Sequence, residues 1–131
     1  MHDYRLEWDY EVTVPREDFR KIVERVTKQI ARDIKSIIPS FEVGFVKNTG
    51  RLGVFISGTE SLPVVALDVG CIRQTAKKHD VPLKTTIEST IMHELGHALQ
   101  EIHGLEMDEV IAEDFAFSYW LDGTIKKFWL L

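Results

Sequence analysis

Apolar residues recur along this chain with two different periods. Phe19, Ile22, Val23, Val26, Ile30, Ile34, Ile37 and Ile38 fall at the spacing of one helix face. Pro15 suits the start of that helix, acidic Glu17 and Asp18 suit its first turn, and Pro39 ends it. Ahead of it, Arg5 to Val14 alternates loosely and predicts a first strand. Behind it the period shortens. Phe41 to Val46 and Leu52 to Ser57 flank Lys47-Asn48-Thr49-Gly50-Arg51 and predict a hairpin. Gly58 to Pro63 reads as loop, and the β-branched run Pro63 to Val69 predicts a third strand. Cys71 to His79 is helical in pattern and is broken by Asp80-Val81-Pro82. Leu83 to His103 predicts one long helix, apolar on one side, which Gly104 stops. Asp108 suits the N-cap of a last helix, Glu109 to Leu121, closed by Gly123. Strand, helix, strands, then helices is the order of an α+β domain, with a small mixed sheet packed on helices.

The long helix carries His93-Glu94-Leu95-Gly96-His97. On a helix, residues i and i+4 lie one above the other, so His93 and His97 can converge on one metal ion. Zinc accepts neutral imidazole nitrogen at about 2.0–2.1 Å. Glu94 lies beside that face, where its carboxylate can take a proton from a water held at the metal, the work of a general base. A catalytic zinc has three protein ligands and one open position. Position 100 is Gln, so no third histidine follows at the spacing that metzincins use. The next helix offers Glu109 and Glu113, four apart and therefore on one face. One can ligate the metal and the other can hold a ligand histidine by its free N–H. Equal depth from the turn of a tight helical hairpin favours Glu113 as the ligand.

The runs His93-Glu94-Leu95-Gly96-His97-Ala98-Leu99 and Asp108-Glu109-Val110-Ile111-Ala112-Glu113-Asp114-Phe115 together resemble gluzincins, the thermolysin-like branch of the zincins. Small relatives, the minigluzincins and the phage-type immunity-repressor peptidases, are similar in size and helix order. The likeness spans roughly Val64 to Leu121. It implies a minimal zincin-like domain and a zinc-dependent peptidase with His93, His97 and Glu109 as ligands. Glu113 would orient a ligand histidine, although gluzincins usually carry Asp there. The branch also uses a Tyr or His to steady the oxyanion, for which His103 and Tyr119 are the candidates by residue type. Its strand at the cleft pairs with extended substrate, a role expected here of Pro63 to Val69. Minigluzincins are kept latent by their own C-terminal segment, and here Lys126-Lys127-Phe128-Trp129-Leu130-Leu131 is the matching apolar tail. The competing expectation is a zinc-binding regulatory or interaction protein of the same fold with little general proteolysis.

Composition narrows the setting. The 131 residues fit a single domain over the whole chain. A net charge of −5 argues against a nucleic-acid partner, which would call for a basic stripe. The single cysteine, Cys71, excludes an internal disulfide and is expected as a packed core thiol in a reducing compartment. Met1 to Tyr10 lacks the apolar core of a signal peptide, and no run approaches the about 20 apolar residues of a membrane span. The expectation is a cytoplasmic protein that acts on a peptide or protein substrate and has no membrane partner.

Overall fold

The computed structural model describes residues 11–56 and 62–119. Its elements are β1 (Glu11–Val12), α1 (Glu17–Asp33), β2 (Glu42–Lys47), β3 (Gly53–Ile56), β4 (Val64–Asp68), α2 (Val69–Lys78), α3 (Leu83–Ile102) and α4 (Glu109–Ser118). The domain is α+β, as the order of patterns predicts. Among the described residues, no helix is long and apolar enough to cross a membrane.

The sheet departs from the expected hairpin. Its strand order is β1-β2-β4-β3, with β4 parallel to β2 and antiparallel to β3. The segment after β2 therefore does not fold β3 back onto it; β4 slides between the two. Burial explains the exchange. All five residues of β4 are buried, and a strand that is apolar on both faces belongs in the middle of a covered sheet. Asn48 and Gly50 turn the connection with positive φ values of 60° and 75°.

Helix α1 stops at Asp33, short of the apolar pattern that runs on to Ile38. Ile34 and Ile38 are still buried, but residues 34–38 are carried by looser turns. The residue before a proline avoids helical geometry, and Pro39 pulls the chain out of the helix ahead of itself. Cys71 is half-buried and sits in the first turn of α2, so it is not a core thiol.

Helix α3 is the centre of the domain, not a surface helix with one apolar side. Residues 86–88, 90–92 and 94–100 are all buried. It packs against α1, α2, α4, β3 and β4, and Ile87, Ile91, Met92, Leu95 and Leu99 join Phe19, Ile30, Leu67, Ile72 and Phe115 in one core. Its end has the form of a Schellman turn: Leu105 N–H bonds to the Gln100 carbonyl at 2.8 Å and Gly104 N–H to the Glu101 carbonyl at 3.0 Å. Gly104 takes φ 68°, which glycine adopts without strain. Asp108 then caps α4, accepting from Val110 N–H at 2.8 Å and Ile111 N–H at 3.1 Å. The two helices meet at Gly96, where a Cβ would lie 2.8 Å from the Cα of Ala112. Any side chain there would force α4 away from α3.

Candidate metal centre

His93 and His97 stand one turn apart on α3, with ring centroids 5.0 Å apart and planes at 83°. Helix α4 lays Glu109 against both. One carboxylate oxygen lies 2.8 Å from His93 Nε2 and the other 3.1 Å from His97 Nε2. Glu113, one turn further on, places an oxygen 2.7 Å from His93 Nδ1. The two acids thus take different atoms: Glu109 faces the Nε2 atoms of both rings, and Glu113 faces the outer nitrogen of one. Both have side chains largely exposed to the cleft, whereas His97 is buried.

Gln100 decides which nitrogen of His97 is free. Its side chain is fully buried, at 0 % exposure. It donates from Nε2 to the Asp108 carbonyl at 2.9 Å and accepts the Asp108 N–H at 2.8 Å through Oε1. That pairing fixes the amide orientation, so Oε1 is the acceptor that faces His97 Nδ1 at 3.3 Å. Nδ1 is therefore the nitrogen that donates to Gln100, which leaves Nε2 as the nitrogen facing Glu109. Glu113 does the same for His93. Ligand histidines in metal sites are held in this way, by an acceptor on the nitrogen that does not bind the metal.

The donor set suits a zinc-type ion. One ligand atom from each of His93, His97 and Glu109 lies within 4.8 Å of the others. Two imidazoles and one carboxylate leave a fourth position open. The three residues line a cleft of about 710 Å³ together with, among others, Arg51, Gly53, Phe55, Glu94 and Met107.

Glu94 lies on the same helix beneath β3. It is 9 % exposed. Gly53 permits this, since a Cβ there would come 2.7 Å from Thr90 Cγ2 and 3.4 Å from Glu94 Cγ. Burial pushes the Glu94 carboxyl up to about 7, against the opposing pull of His93. Burial works against a charge on His93, but its bonds to Glu113 and Glu109 outweigh this and raise its pKa. With carboxylate oxygens at both ring nitrogens, the metal-free site suits the doubly protonated ring.

No protein family, characterised protein or solved structure matches this chain.

Other expected site residues lie elsewhere. The Tyr119 hydroxyl donates to Asp33 of α1 at 2.7 Å, and Tyr119 does not line the cleft. His103 ends α3 as its exposed C-cap residue and does not line the cleft either. The strand beside the cleft is β3, not the Pro63 to Val69 run, because β4 has a neighbour on each side. The tail at 126–131 lies outside the described residues. Neither Gln100 nor Arg51 belongs to the motifs that the sequence displays. For Gln100 the legible signal is its place three residues after His97, within reach of that ring.

These contacts can be tested by substitution and by pH. Gln100→Met removes the acceptor on His97 Nδ1 and should lower zinc affinity about 10–100-fold, measured by chelator competition; unchanged affinity would show that the contact does not orient the ring. The second test concerns pH. In the metal-free protein Glu94 binds its proton more tightly folded than unfolded, so stability is present at low pH and is lost as pH rises from 4.5 through about 7. The raised His93 pKa adds to the same slope, while the lowered Glu109 pKa acts only below the ordinary 4.5. The Glu94 gap between 4.5 and about 7 corresponds to about 3 kcal/mol. Metal-free Glu94→Gln should therefore exceed the wild type in urea unfolding at pH 8 by about that amount, with the difference closing toward pH 4.5. A difference that does not change with pH would contradict the assignment.

Proposed function

We propose that this chain is a small zinc metallopeptidase. The observation that carries the reading is the convergence of His93, His97 and Glu109 at the edge of a cleft that also holds the buried carboxylate of Glu94. Zinc held by these three residues supplies Lewis acidity to a water and to the substrate carbonyl. The rest of the chemistry belongs to the chain. Glu94 is the group positioned to accept a proton from the attacking water and return it to the leaving amine, and a general base works best with a pKa near the working pH. Glu113 and Gln100 hold the two rings so that both Nε2 atoms point the same way. Among the described residues, strand β3 is bonded to β4 on one side only. Its other edge can pair with an extended peptide and lay the backbone across the cleft.

This reading places the protein in the cytoplasm, where the lone Cys71 would stay reduced. It leaves the C-terminal apolar run as the segment to examine for latency. A second reading, a zinc-binding regulatory protein with little general turnover, draws on one observation. Among the described residues that line the cleft there is no tyrosine and no histidine beyond the two ligands to steady an oxyanion.

Turnover separates the two readings. The zinc-loaded wild type should cleave an unstructured protein such as casein, and Glu94→Gln should lose at least about a hundredfold in kcat while holding the same zinc. Wild-type cleavage that survives Glu94→Gln would remove Glu94 from the reaction. No cleavage by the zinc-loaded wild type would favour the regulatory reading.

A further inference from the structure

Arg51 is the one permanent cation among the described residues that line the cleft. Its backbone is anchored to the core. Asp68, at the end of β4 and 1 % exposed, accepts the Thr49 backbone N–H at 2.8 Å and the Thr49 hydroxyl at 2.7 Å. The same hydroxyl accepts the Arg51 N–H at 3.1 Å. Leu52 continues the tie through its carbonyl, which accepts the Asp68 N–H at 2.9 Å. The turn that presents Arg51 is thus fixed from beneath, while the side chain is exposed.

The described carboxylates that line the cleft with Arg51 are paired elsewhere or buried. Glu109 faces both Nε2 atoms, Glu113 faces His93 Nδ1, and Glu94 is buried under β3. Among the described residues none forms an ion pair with Arg51, whereas Arg20, Lys21, Lys47, Arg73 and Lys84 each have one. The charge of Arg51 is felt at Glu94, where it favours the ionised form. A guanidinium is planar and matches a carboxylate with two parallel hydrogen bonds. Arg51 also precedes the edge strand by two residues, and Gly53 of that strand lies against Glu94. With a rise of about 3.3 Å per residue, the guanidinium can meet a group within about three residues of the reacting bond.

We propose that Arg51 selects the substrate: it binds a carboxylate of the peptide, either an acidic side chain or the free C-terminus, within about three residues of the bond that is cut. This rests on the peptidase reading of the site and adds the class of peptide that it takes.

The test uses matched peptides with the zinc-loaded protein. Glu is exchanged for Gln at each of three positions on either side of the cut bond, and the C-terminus is free or amidated. The wild type should prefer the carboxylate form about tenfold in kcat/KM, at one internal position for an acidic side chain or only with the free end for a C-terminus. Arg51→Gln should bring the ratio to about one, and Arg51→Glu should invert it. No wild-type preference would overturn the proposal, as would a ratio that persists in Arg51→Gln or an equal loss on both members of a pair. If the zinc-loaded wild type cuts nothing, the peptidase reading fails separately. Binding of the same peptides, followed by fluorescence anisotropy, then decides Arg51: a carboxylate preference abolished by Arg51→Gln sustains the assignment, and equal binding removes it.

Discussion

The side-chain amide of Gln100 bonds to both backbone polar groups of Asp108, and the register of the two site helices depends on that clamp. Asp108 is the N-cap of α4, so fixing its backbone fixes the first residue of the glutamate helix. The bare Cα of Gly96 lets Ala112 lie against α3 just beyond. Glu109 and Glu113 flank that crossing on one face, and each reaches a different ring atom. The same amide oxygen faces His97, so one side chain sets both the position of the carboxylate helix and the tautomer of a histidine that it serves.

Much of this was legible in the chain. The capping role of Asp108 and the stop at Gly104 are local effects, and they fall where the pattern puts them. The i,i+4 histidines needed only helical geometry to share a face. What depends on distant parts of the chain was not legible. Two short apolar strands beside a polar turn read as a hairpin, but β4, whose residues are all buried, takes the place between them. Burial of α3 on nearly all sides is hidden because Thr86, Glu88, Thr90 and Gln100 look like a solvated face. Counting depth from a turn points to Glu113, whereas Glu109 is the acid that faces both Nε2 atoms; both flank the crossing at Gly96. Arg51 gave no local signal, because it reaches the cleft only through the contact of Thr49 with Asp68.

The cleft is also where the fold is least at ease. A carboxylate is buried beneath β3, and two exposed acids crowd around two imidazoles. In the metal-free domain the bonds of His93 to Glu109 and Glu113 offset only part of the cost of burying Glu94, and unfavourable local choices concentrate at functional sites. A divalent cation among His93, His97 and Glu109 would offset the negative charge that the arrangement collects. The enclosed core around α3 lets the rest of the domain carry that cost.

The metal site is tested by zinc per chain, from elemental analysis of protein purified without a His tag and without added metal. A value near one is expected, lost in a His97→Ala variant that keeps its fold. A value near zero that stays there after incubation with zinc would contradict the metal site and reduce the motif to a helical pattern.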